Sequence, residues 1–150
     1  MRFRKSIVAA AALSALVLAA GNASATTYTT WGPYDYIPGV THCGATQTFD
    51  GDVYAQMCID MVGGTNVEIE MHVTSHGSHS IWAAEWVNHN NGVYDDQTIC
   101  TGDVRANDLG QGSSCLSPEV NHGQVYNQGQ GYIVIDGQQT PNLYSPSIYA

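Results

Sequence analysis

Lysine does not occur after Lys5, and the only arginine after Arg4 is Arg105. Thirteen Asp and Glu residues, all beyond residue 25, face that single cation, so residues 26–150 carry a formal charge of −12 with histidine neutral. A field of that sign repels nucleic acid and anionic membrane surfaces, which excludes both as partners. It attracts metal cations and basic proteins, and its least specific effect is to keep a chain in solution. Full protonation of the six histidines would halve the charge to −6. Any cation-dependent association is therefore expected to weaken toward mildly acid pH. Also missing are a second apolar run of membrane-spanning length, helix signals, and every compact nucleophile or phosphate motif. GxSxG, GxGxxG, the P-loop and HExxH are all absent. No CxxC pair occurs, so a thioredoxin-like redox role has no footing.

The first 25 residues are the most ordered signal in the chain. Arg2, Arg4 and Lys5 precede an apolar run, Ile7 to Ala20, broken only by Ser14, and Ala23-Ser24-Ala25 closes it. This is the layout of a secretory signal peptide with its small-x-small cleavage site. It predicts a secreted, extracellular protein whose mature part, residues 26–150, forms one domain. In that oxidising setting Cys43, Cys58, Cys100 and Cys115 are expected to form two disulfides, with three connectivities open. Both sequential pairs enclose the same interval of 15 residues.

The mature part reads as all-β. Val67, Ile69, Met71 and Val73 alternate with Glu68, Glu70, His72 and Thr74, which is a strand over Asn66 to Ser75 with one face in the core. Val53 to Met61 alternates likewise, and Gly63-Gly64-Thr65-Asn66 is the turn between the two. Cys58 falls on the polar face of its strand, which favours Cys43–Cys58 over a core bridge of the antibody kind. Further strands are expected at Ile81 to Val87, Val93 to Thr101, Gln124 to Asn127 and Gly131 to Ile135. Asn90-Asn91-Gly92 supplies a turn, and Asn107 to Ser114 reads as a loop. An edge strand lies near Tyr28 to Ile37, limited by Pro33 and Pro38. About seven strands with regular turns point to an antiparallel, immunoglobulin-like β-sandwich, and a small β-barrel is the alternative.

Four groups of side chains could carry function. Glu70, His72, His76 and His79 could hold a divalent metal such as zinc or copper, although they match no fixed metalloenzyme spacing; this is the only cofactor implied. Trp82 and Trp86 share a strand face about 13 Å apart, at ~3.3 Å per residue. Outward, they could stack on separated sugars of a glycan; inward, they would fill the core, and a small sandwich's need for large inward side chains favours the second. Tyr28, Trp31, Tyr34 and Tyr36 form a second aromatic cluster, either a binding surface or a clamp on the terminus. Asp50 with Asp52, Asp95 with Asp96, and Asp103 with Asp108 could ligate calcium, but turn-forming Asp is the commoner cause.

From Cys43 onward the chain resembles a group of small exported proteins of actinobacteria and similar soil bacteria. Tyr54-Ala55-Gln56-Met57-Cys58-Ile59, Cys100, Cys115-Leu116-Ser117-Pro118, the Gly131–Gly137 strand and Ser145-Pro146-Ser147 carry the likeness. The resemblance implies a secreted, disulfide-bearing β domain and transfers no functional residue. A monomeric, non-catalytic extracellular binding module for carbohydrate or cell-envelope ligands follows best. An acidic module that meets a basic protein partner is the second reading, and a metal-assisted enzyme at the histidine group the third.

Overall fold

Two strands of strict apolar alternation organise the computed structural model, which describes residues 26–33, 39–90, 92–94, 97–102, 104 and 112–150. Residues 1–25, the expected signal peptide, and Tyr34, Tyr36, Asp95, Asp96, Asp103, Arg105 and Asp108 lie outside the described residues. In chain order the strand segments are β1 Thr27–Thr30, β2 Gly32–Pro33, β3 Thr41–Cys43, β4 Gln47–Phe49, β5 Val53–Gly63, β6 Asn66–Ser75, β7 Ile81–His89 and β8 Val93–Tyr94. They continue with β9 Thr98–Thr101, β10 Ser113–Leu116, β11 Val120–Asn121, β12 Tyr126–Ile135, β13 Gln138–Gln139, β14 Leu143–Tyr144 and β15 Ile148–Tyr149. No helix occurs among the described residues.

The segments form two sheets. The first runs β1-β9-β7-β12-β13, with β14 and β15 also on β12 and β8 on β7. The second runs β2-β10-β6-β5-β3, with β11 on β6 and β4 on β5. Pairing is antiparallel except between β1 and β9, which run parallel. The core lies between the sheets. Val53, Ala55, Met57 and Ile59 of β5 and Val67, Ile69, Met71 and Val73 of β6 face Ile81, Ala83 and Val87 of β7 and Ile133 and Ile135 of β12. The all-β sandwich with two disulfides is therefore present, and β5 and β6 keep the register their alternation dictates, from Val53 opposite Ser75 to Met61 opposite Val67.

Several boundaries differ from the sequence reading. The extra segments are short edge pieces of two to four residues, too short to show a period. β10 falls within the Asn107–Ser114 loop and its flank; it has no apolar alternation because it borrows its register from β6. Within Val93–Thr101 the described strand segments are Val93–Tyr94 and Thr98–Thr101. The two expected strands at Gln124 and Gly131 are a single β12 across Gly129 and Gly131. Those glycines are not turn residues. A Cβ at Gly129 would sit 3.0 Å from Met57 Cε, and one at Gly131 2.7 Å from Met71 Cε. Their bare backbone lets the two methionines of the opposite sheet lie flat against β12.

The disulfides are Cys43–Cys58 and Cys100–Cys115. Cys43 and Cys58 stand opposite each other in the β3–β5 register, off the main core as the parity of Cys58 implies. Cys100 and Cys115 are fully buried in the core and tie β9 of the first sheet to β10 of the second. At the same edge the N-terminal arm pairs with both sheets, through β1 on β9 and β2 on β10. Between them Trp31 packs against the core, and its Nε1–H donates to the Ile81 carbonyl at 3.3 Å. Trp31 is thus part of the clamp on the terminus rather than an open ligand ring.

Candidate functional site

Trp82 and Trp86 face outward, which corrects the preference for a core role. The buried face of β7 is Ile81, Ala83, Glu85 and Val87, and the tryptophans stand half-buried on the other side. The carboxylate of Glu85 makes its own face look solvated in the sequence, yet Glu85 is fully buried. Across the ladder Ala84 pairs with Tyr132 of β12. The small Ala84 leaves room for the phenol ring between the two indoles. Tyr132 meets Trp82 at 5.9 Å and Trp86 at 6.0 Å, edge to face at 70° and 67°. Edge-to-face contacts of this kind fix ring orientation and contribute about 1 kcal/mol each beyond burial.

The same outer face continues along β12. Gln130 lies opposite Trp86 and Gln128 opposite Asn88, and Tyr126 ends the strand. Gln128 Nε2 donates to the Ser145 carbonyl at 3.0 Å, and Gln130 Nε2 lies 3.5 Å from the Tyr144 hydroxyl. Tyr126 packs edge-on against Tyr149 of β15 at 5.1 Å, and both rings are more than half exposed. On the other side of β7, β1 and β9 place Tyr28 beside Ile99 and Ile99 beside Ala84. Tyr28 is 72% exposed, so it belongs to this platform and not to the arm's clamp. Sequence reasoning missed Tyr126, Tyr132, Tyr144 and Tyr149. The alternation Tyr126-x-Gln128-x-Gln130-x-Tyr132 was the available signal, hidden by the glycines between.

The histidine group is spread along the second sheet and a loop beside it. His72 is half-buried on the outer face of β6, and burial lowers its pKa. His76 is exposed, with its ring 5.6 Å from that of Tyr54. His79 lies between two carboxylates, with Nε2 3.0 Å from Asp52 Oδ1 and Nδ1 2.7 Å from Asp136 Oδ2. Asp136 Oδ1 also accepts the Ser80 backbone N–H at 2.8 Å. This clasp joins the β4–β5 turn, the β6–β7 loop and the β12–β13 turn. Among the described residues no group of three or more His, Cys, Asp or Glu is arranged to hold a metal ion.

The hydrogen bond to Asp136 raises the His79 pKa, with Asp52 adding to it and partial burial opposing; Asp136 is lowered by the same bond and by Ser80. The raised histidine contributes stability below its unfolded pKa that is lost as pH rises through the folded value. The lowered aspartate contributes stability that is lost as pH falls through its own. His79→Asn should therefore melt below the wild type at pH 5–6, with the gap narrowing in alkali. An equal deficit at both ends of a pH series of melts would assign His79 a packing role only.

The outer face of the second sheet carries a different feature. Thr29, Thr30, Gly32 and Pro33 of the arm, with Asp60, Glu68, Glu70, Ser114 and Leu116, line a cleft of about 450 Å³. Asp60 and Glu68 are directly opposite in the β5–β6 register, which places their Cβ atoms about 5 Å apart. Glu70 accepts a hydrogen bond from the Ser114 hydroxyl. Burial, then Asp60 and Glu119, raise the Glu68 pKa. Near the far end of the first sheet, His89 and His122 stack at 3.8 Å and 9°, and His122 Nδ1 lies 2.8 Å from Asn127 Oδ1.

No protein-family model matches the chain, and no curated protein or solved structure matches it either. The class rests on fold and surface: a disulfide-linked, two-sheet β protein with an aromatic, amide-bearing outer face. Disulfides of this kind are typical of extracellular proteins. Among the described residues no helix is long and apolar enough to cross a membrane.

Proposed function

We propose that the protein is a secreted, non-catalytic module that binds carbohydrate, of the cell envelope or its surroundings, on the outer face of its first sheet. The observation that carries this reading is the outward-facing, half-buried Trp82–Tyr132–Trp86 array, with rings held in fixed mutual orientation. Sugar rings present C–H faces that indole and phenol rings desolvate, and their hydroxyls need amide and phenol partners of the kind Gln128 and Tyr144 supply. The two disulfides and the signal-peptide layout of residues 1–25 support an extracellular setting.

Trp86→Ala should weaken glycan binding about tenfold or more, on the order of what a central aromatic anchor contributes at an interface. Because Trp86 is outside the core, its melting temperature should move far less than that of a core truncation. Pull-down on insoluble polysaccharides, with tryptophan fluorescence for soluble ones, measures the change. Undiminished binding by both Trp82→Ala and Trp86→Ala would remove the reading.

The acidic cleft favours a second reading, a module that meets a basic protein through Asp60, Glu68 and Glu70. Salt separates the two: a basic partner would be released between low and high ionic strength, and a glycan held by aromatic rings would not.

A further inference from the structure

We infer that the platform takes an uncharged polysaccharide, laid lengthwise along β7 and β12. This rests on the glycan reading above and adds the class and posture of the ligand. Trp82 stands opposite Val134, and Tyr126 is eight residues earlier on the same strand. At ~3.3 Å per residue the two ends of the platform are roughly 26 Å apart. Aromatic rings mark both ends, Trp82–Tyr132–Trp86 at one and Tyr126–Tyr149 at the other. Polar heads fill the stretch between. Gln128 is tethered by the Ser145 carbonyl, Gln130 is buried with its Nε2 3.5 Å from the Tyr144 hydroxyl, and Asn88 Oδ1 on the same face is buried with no hydrogen-bond partner among the described residues. A ligand that touches both aromatic ends has to run the length of the strands. A mono- or disaccharide reaches one end alone.

The charge of the ligand follows from what this face omits. Its positions on β7 are Trp82, Ala84, Trp86 and Asn88, and on β12 Tyr126, Gln128, Gln130, Tyr132 and Val134, none of them charged. No lysine or arginine occurs among the described residues, while carboxylates dominate the rest of the chain. An anionic polysaccharide would surrender water and counterions to a face with no cation to replace them, inside a negative field. A neutral chain has no such cost. Tethered amide heads also lose little freedom on binding, which favours hydroxyl recognition over charge pairing.

The test is a titration of the folded, disulfide-bonded protein with neutral β-1,4-linked glucose, xylose, mannose and N-acetylglucosamine oligomers of two, four and six units. Galacturonate hexamer is the anionic comparison. In one neutral series affinity should rise about tenfold or more from dimer to hexamer, and galacturonate should give no signal. Tyr126→Ala should weaken the hexamer several-fold and leave the tetramer unchanged, whereas Trp86→Ala should weaken both. Equal affinity for dimer and hexamer, or galacturonate bound as tightly as the neutral chains, would overturn the inference while leaving glycan binding in place. Self-association that the hexamer does not displace would overturn it by assigning the face to a second copy. Silence toward every sugar would remove the glycan reading together with it.

Discussion

Glu85→Gln should raise stability at neutral pH, by about 1.4 kcal/mol for each pH unit separating the raised folded pKa from the unfolded one, and flatten the loss that the wild type shows as pH rises. Glu85 is fully buried between Ala83 and Val87, beside Thr98 and Gly131, and neither carboxyl oxygen has a well-formed hydrogen bond among the described residues. Burial drives its pKa well above the ordinary carboxylate value. The Met71 backbone N–H pulls the other way, and the Glu70 charge adds to the rise. The direction sets the sign. A carboxyl with a raised folded pKa contributes fully below its unfolded pKa, near 4.5, and that contribution is lost as pH climbs toward the folded value. The slope is about 1.4 kcal/mol per pH unit across that window. Glutamine keeps the shape and cannot ionise, so its curve should lie flat where the wild-type curve falls. In thermal melts the difference should be largest at neutral pH and shrink toward pH 4. Parallel curves would show that Glu85 is held as a carboxylate by water or an ion, and would end the neutral-acid account.

Removing Cys100–Cys115 by paired alanine substitution should cost about 4 kcal/mol, against about 3 for Cys43–Cys58. Both bridges close intervals of 15 residues, so loop entropy alone ranks them equal. The difference lies in what each half touches. Cys100 and Cys115 belong to the core cluster and are the covalent tie between the sheets. Cys43 and Cys58 face each other within one continuous ladder that holds them in place without the bond. Urea denaturation of the two double variants measures the ranking, and limited proteolysis around Trp31 should rise only in the first. Equal losses, with no change at the arm, would mean that packing around β9 and β10 is independent of the bridge.

How much of this was legible in the chain depends on local pattern. Strands β5 and β6 announce themselves because one face is purely apolar, and the connectivity of Cys43 was readable from the parity of Cys58. β7 was legible as a strand and misread in direction. The bulk of Trp82 and Trp86 argued for the core, but the real core face tolerates Ala83 and a fully buried Glu85. No period reports a carboxyl that is buried. Tyr132 was invisible as a partner because its place between the indoles depends on the β7–β12 register, a non-local quantity. The histidines suggested a metal from proximity in sequence. His79 instead meets Asp52 and Asp136, which are 27 and 57 residues away.

The arm that spans the sandwich edge also has a temporal meaning. β1 and β2 precede their partners β9 and β10 by roughly seventy to eighty positions, so these contacts close some of the longest loops in the molecule. Until the partners are adjacent, the arm has nothing to pair with, and β9 and β10 present open backbone along one side of each sheet. Exposed strand edges template pairing with other chains. The opening residues of the folded part thus seal the sandwich edge, and an arm that came loose would uncover β9 and β10 as open strand edges.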